Sequence, residues 1–270
     1  MNNIESEMVI TNPYRRNESI RAWGFACLRT ACALVPGAPA RRSLAEFVLK
    51  FKQNVPREMM ISPGDTVVQI GTPQTETVRR IAKAIGKNGR AVVVEADETN
   101  VKRLRGWLES NAIKNVRLIH QAAADRKGVL TFLVSKKWSG NHRLADDTIV
   151  NDNDQLEIDA TGSEYLRKEV PADTVDGICA ANDIDHIDYI EIAINGAELA
   201  VLRTMPEILK KTKRLFVKGH SRERESGLPI CHAIKALLDD QGFKTRITRP
   251  SRAGTAEWGK REGDVYAWRV

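Results

Sequence analysis

The stretch from Gly64 to Phe132 constrains this chain most, because it opens as one strand–helix–strand unit. Gly64-Asp-Thr-Val-Val-Gln-Ile-Gly71 is an apolar strand, carried by Val67, Val68 and Ile70, that runs into a glycine. Val78, Ile81, Ala82 and Ile85 then fall on one face of a helix that stops at Gly86. A second strand, Arg90 to Glu95, ends on a carboxylate. Strand, glycine, helix, strand, acid is a layout that can hold an adenosine. The glycine admits the ligand close to the backbone, and the acid accepts hydrogen bonds from ribose hydroxyls at about the twenty-residue spacing this geometry wants. The turn after Gly71 lacks the two further glycines of a dinucleotide fingerprint, and no GxxxxGK[ST] phosphate loop occurs anywhere. The plain alternative is a Gly71 that only ends a strand and a Glu95 that is solvated.

The rest of the chain continues the alternation. Asn100 to Leu108 reads as a helix, Val116 to Ile119 and Gly128 to Val134 as strands, and Trp138 to Asp159 as a polar, irregular excursion. Tyr189 to Ile194 is a buried strand, Ala197 to Leu209 a helix and Arg214 to Lys218 a strand. Ile230 to Gln241 is a helix, and Phe243 to Thr248 and Asp264 to Val270 close the chain as strands. This order predicts an α/β fold: a doubly wound, mostly parallel sheet with an antiparallel edge. Ahead of it, Ser19 to Leu34 and a second segment opening at Ser43, with Glu46 completing a capping box, read as N-terminal helices. We therefore expect residues 1–57 to be a helical extension or lid and residues 58–270 to be the main domain. The two amphipathic helices either pack on that domain or make a membrane-surface or protein contact.

The net charge of +7 comes from scattered Lys and Arg, and aromatic residues are only 6% and not interleaved with them. A nucleic-acid partner is therefore not expected; a solvated basic surface or an anionic substrate suits the charge better. The four cysteines form no CxxC pair and have no His neighbours at zinc spacing. They read as reduced thiols of a cytoplasmic protein, and no metal site is expected. Arg15-Arg16 ahead of an apolar stretch is similar in outline to an export signal, but Glu18, Arg21 and Arg29 interrupt it.

Three segments together resemble the FkbM-type methyltransferases, within the Rossmann-like enzymes that use S-adenosyl-L-methionine. They are Ser62 to Gly71; Gly86 to Asp97 with Asn115 to Asp125; and Ile187 to Leu202 with Leu215 to His220. The resemblance implies a Rossmann-like methyltransferase sheet, S-adenosylmethionine as cofactor and an O-methyltransferase acting on a small molecule or glycan. It implies cofactor contacts at Gln69, Gly71, Thr72, Glu95 and Ala123, the small Ala123 leaving room for the adenine ring. His220, after its strand, becomes the candidate catalytic base, or else a structural histidine. Four acids of the family pattern are replaced. Its Asp-x-Gly reads Gln69-Ile-Gly71, its Lys-Ile-Asp-Val-Glu-Gly reads Glu191-Ile-Ala-Ile-Asn-Gly196, and its Glu-x-His reads Lys218-Gly-His220. These losses support a second reading, a catalytically degenerate scaffold or binding protein on the same fold. Glu191 is expected on the sheet face opposite Ala193 and so unable to replace the lost acid. Glu198 opens a helix, where it can cap or catalyse.

Overall fold

The computed structural model describes residues 55–71, 74–135, 143–144, 156–158, 164–194, 196–219, 229–248 and 263–269. The expected N-terminal helices, Thr72 and His220 lie outside these residues. The chain divides into two compact units, residues 1–60 with 248–261 and residues 61–247 with 262–270. Of the first, the described part is residues 55–60, which hold a 3-10 turn at Arg57–Met59, and Thr248.

The second unit begins with β1 (Thr66–Ile70), α1 (Thr75–Ile85), β2 (Arg90–Glu95), α2 (Glu98–Ser110) and β3 (Val116–His120). Short β4 (Ala122–Ala123) leads to β5 (Gly128–Ser135), β6 (Arg143–Leu144), β7 (Leu156–Ile158) and the long β8 (Glu164–Asp173). Then follow α3 (Val175–Ala180), β9 (Tyr189–Ile192), α4 (Glu198–Arg203), α5 (Pro206–Lys210), β10 (Arg214–Lys218), α6 (Ile230–Asp240), β11 (Lys244–Thr248) and β12 (Asp264–Trp268).

The main sheet has the order β11-β12-β10-β9-β1-β2-β3. β3, β2, β1, β9 and β10 run parallel, and β12 is inserted antiparallel beside β10. The chain builds outward from β1 to β3, then returns to lay β9 on β1's other side. The order therefore reverses between β1 and β9, and the carboxyl ends of those two strands form the switch point where such sheets bind ligands.

Side-chain alternation sets the two faces. Val68, Ile70, Val92, Val94, Ile190, Ile192, Leu215, Val217, Val265 and Ala267 point to one side and join residues of α3, α4, α5 and α6 in the largest apolar core. On the other side Val93 packs with Val78 of α1 and with Leu104 and Leu108 of α2. Helices on both faces are the doubly wound arrangement expected.

Three expectations are corrected. The expected helix from Ala197 to Leu209 is two helices, broken at Thr204 and Met205. Pro206 opens α5 at a first-turn position, where its missing N–H costs nothing. The strand from Gly128 does not join the main sheet but pairs antiparallel with β8, which the sequence reading missed, in a second sheet ordered β4-β8-β5-β6. Third, Glu191 does not face away from the lost-acid position. It stands in register with Gln69 and Phe216, and Ala193 lies two residues on, so strand alternation puts all of them on one side.

Candidate cofactor site

At the switch point the strand ends close tightly. Gly71 has φ +70°, and a Cβ there would lie 2.5 Å from the Ala193 carbonyl oxygen and 2.6 Å from Ile194 Cγ2. Its N–H donates to the Val94 carbonyl at 2.9 Å. Only glycine meets both the left-handed conformation and this approach. Gln69, one strand pair below, is fully buried between Val93 and Glu191.

The carboxyl end of β2 is the most polar buried point nearby. Glu95, Asp97 and Asn100 are 4%, 2% and 4% exposed. The Asp97 N–H donates to Glu95 Oε1 at 2.8 Å, and the Asn100 N–H donates to Asp97 Oδ1 at 2.8 Å, capping α2. Burial pushes the Glu95 carboxyl up to about 7; the Asp97 N–H bond opposes the shift, the Asp97 charge adds to it, and the nearby Asn100 amide opposes it. The three side chains therefore converge. Asp97 Oδ2 and Asn100 Nδ2 are buried without a well-formed hydrogen bond, the Asn100 amide lying close enough to Glu95 to favour its charged form. Buried polar atoms of this kind are rare without a ligand or water to meet them. The neighbouring strand brings His120 into register with Glu95, its Nε2 3.1 Å from the Ala96 carbonyl oxygen.

The Methyltransferase FkbM domain family model matches residues 69–245. The chain belongs to this family. Its cofactor is S-adenosyl-L-methionine, and its fold is that of the methyltransferases that use it. Similar solved structures include an Aquifex aeolicus SAM-dependent methyltransferase at 16% identity, covering 91% of this chain and 98% of that one, with a TM-score of 0.40. The FkbM methyltransferase of Methylobacillus flagellatus shares 12% identity over 90% of this chain and 58% of its own, with a TM-score of 0.47. Aeropyrum pernix fibrillarin, solved with natively bound S-adenosyl-L-methionine, shares 12% identity over 77% and 67%, with a TM-score of 0.45. Comparison with curated proteins gives no match.

The residues at the end of β2 fit this cofactor. A buried carboxylate beside an acceptor and a donor that lack well-formed bonds suits ribose hydroxyls, each of which can donate and accept. Gln69 is less suited to the methionine ammonium group, since it carries no charge there. Ala123 is buried within the main apolar core, with Val94 and Ile178 among its cluster. Asp125 is exposed and pairs with Arg126 at 3.3 Å. Glu198 is 1% exposed and ties down the segment after β9, accepting from the Ile194 N–H at 3.0 Å and the Gly196 N–H at 2.8 Å.

A second polar group lies along the same face. Asp264, at the start of β12, stands in register with Lys218 at the end of β10. Burial pushes its carboxyl up to about 7, Lys218 opposing the shift and Glu191 adding to it. Glu191, Lys218 and Asp264 are thus neighbours. Among the described residues no group of three His, Cys, Asp or Glu could hold a metal ion. Asp97, Asn100 and Asp264 were missed from sequence. Asp97 and Asn100 carried a signal, a capping residue with a polar partner three positions on, whereas Asp264 reaches its place only through the reversed strand.

Proposed function

We propose that this chain is a methyltransferase that methylates an oxygen of a small molecule or glycan. The observation that carries the reading is the buried, convergent Glu95–Asp97–Asn100 group at the carboxyl end of β2, one strand from the switch point. The cofactor supplies an electrophilic methyl group. Glu95 would hold the ribose, Gly71 and Thr72 would let the backbone meet the methionine end beside Gln69, and Ala123 would border the adenine. His220, two residues past β10, would take the acceptor's proton, since an imidazole titrates near neutrality. The buried Cys179 thiol, which forms no disulfide, suits the cytoplasm. Among the described residues no helix is long and apolar enough to cross a membrane. A peripheral membrane or protein contact would belong to the N-terminal segment.

A specific observation favours a second reading, a scaffold that no longer catalyses. Ala193 stands at the end of β9 where the family pattern has an acid, and its carbonyl packs against Gly71. Titration calorimetry with S-adenosylhomocysteine separates the readings. Micromolar binding is expected of the enzyme, and no heat at millimolar ligand would favour the scaffold. In a chain that binds, His220→Gln should lower turnover by about 10²–10⁴-fold with cofactor affinity nearly unchanged. Unchanged turnover in the folded mutant would remove His220 from catalysis.

A further inference from the structure

We propose that Glu198 is a positioning residue of the cofactor crevice: its carboxylate holds the turn after β9 against Gly71 and so sets how tightly the amino-acid end of the cofactor is held. The inference rests on the reading of the Glu95–Gly71 crevice as the cofactor site. It gives Glu198 a role that is neither the capping of its own helix nor catalysis.

The backbone at the switch point changes partners at Ala193. Up to that residue the strand ladder serves it, the Ala193 N–H donating to the Ile70 carbonyl at 3.0 Å. Beyond it a side chain takes over. The Ile194 N–H donates to Glu198 Oε1 at 3.0 Å, and the Gly196 N–H donates to Glu198 Oε2 at 2.8 Å. One carboxylate therefore spans the turn with both of its oxygens. Gly196, at φ +115°, supplies the bend that brings the two N–H groups to one anion. Ala197 occupies the N-cap position of α4 with no side-chain bond there, so the Glu198 carboxylate reaches back past its own helix. Glu198 is buried, where hydrogen bonds to a charged oxygen are among the strongest a fold has.

That turn is one wall of the crevice. A Cβ placed on Gly71 would collide with the Ala193 carbonyl and with Ile194 Cγ2, so the turns after β1 and β9 are packed on each other. Continuing the register of β2, β1 and β9 past Val94, Ile70 and Ile192 sets Glu95, Gly71 and Ala193 side by side. With the ribose held at Glu95, the amino-acid end of the cofactor crosses Gly71 and borders the turn that Glu198 holds. A site of this kind tolerates a displacement of only about 0.5 Å before its fit is lost. Releasing the turn loosens the wall at the amino-acid end and leaves the ribose end, on β2, as it was.

The test is calorimetry on the full chain with S-adenosylhomocysteine and adenosine, which share the nucleoside and differ at the amino-acid end. Glu198→Gln keeps the volume and one accepting oxygen but turns an N–H₂ toward the second backbone N–H. Glu198→Asp keeps the charge and withdraws it by one methylene. Each should weaken S-adenosylhomocysteine binding by about tenfold and adenosine binding by less than about twofold. Equal losses for the two ligands mean a general structural role and overturn the proposal. Wild-type affinities in both variants overturn it and leave the cofactor site standing. A loss confined to Glu198→Gln makes the charge, not the position, what the ligand feels, and overturns it as well. A wild type that binds neither ligand overturns the proposal together with the cofactor reading. Should a variant fail to fold, or adenosine bind too weakly for calorimetry, the Ile194 and Gly196 amide resonances of the wild type decide. S-adenosylhomocysteine should shift both and adenosine neither; equal shifts with the two ligands, or no shift with either, overturn the proposal.

Discussion

Glu95 and Gly71 are each held in a state that a free residue would not choose. Desolvation favours the protonated Glu95 carboxyl, so in the range from the ordinary carboxylate value up to about 7 the folded chain holds a proton that the unfolded chain has released. Its contribution to stability is full below the unfolded value and is lost as pH rises through about 7; Asp264 has the same sign. Thermal melts should therefore fall from about pH 5 to about pH 8, with a shallower slope in Glu95→Gln. Ribose hydroxyls that donate to the carboxylate favour its charged form, so S-adenosylhomocysteine should bind more tightly at about pH 8 than at about pH 6. Calorimetry across that range should show a flat profile for Glu95→Gln, and Glu95→Ala should weaken binding by about 1.5–3 kcal/mol. A wild-type affinity in Glu95→Ala would remove the ribose role. Gly71→Ala forces a Cβ against the Ala193 carbonyl at positive φ, and urea unfolding should show a loss of about 2–4 kcal/mol.

Among the elements, those with a strong local pattern were legible. The stripe Val78, Ile81, Ala82, Ile85 gave α1, and each of those residues is buried. The opening of α2 was placed two residues late, because Asp97 is the cap and Glu98 begins the helix. β8 escaped because Glu164 to Asp173 mixes charge with Pro171 and buries no regular face; its partner β5 is what makes it a strand. The amino ends of the strands, away from the site, are locked by a polar clamp. Asp188 accepts the Thr66 N–H at 2.8 Å and pairs with Lys213 at 2.7 Å. Arg214 donates to the Asp188 carbonyl and to Asp65 Oδ2, both at 2.7 Å. Arg214→Leu leaves Asp65 without its cation and should destabilise the fold by about 2–4 kcal/mol in denaturant titration. S-adenosylhomocysteine affinity should be unchanged, because the clamp and the site lie at opposite ends of the strands. A loss of affinity at full folding would mean that the two ends are coupled.

For the whole molecule, we keep the sequence-based division as a proposal: residues 58–270 form the methyltransferase domain and residues 1–57 an extension or lid. That domain expressed alone should unfold in one cooperative transition and bind S-adenosylhomocysteine as the full chain does. Weaker binding by a folded fragment would give the extension a part in the site. The sequence by itself determined the doubly wound class, the glycine at the end of β1 and the acid at the end of β2. Those features are local: a period of two or of 3.6 residues, a residue that tolerates positive φ, a charge at a strand end. It also carried the family, through short motifs read in order. Only the tertiary structure decided which strands became neighbours, and that is a matter of non-local pairing. It moved β5 to a second sheet, inserted β12 beside β10 and so set Asp264 against Lys218 and Glu191. It also decided burial. Glu95 could have been a solvated strand end, but the fold closes over it and leaves Asp97 and Asn100 each with a polar atom that lacks a well-formed hydrogen bond, a property of packing that residue order does not contain.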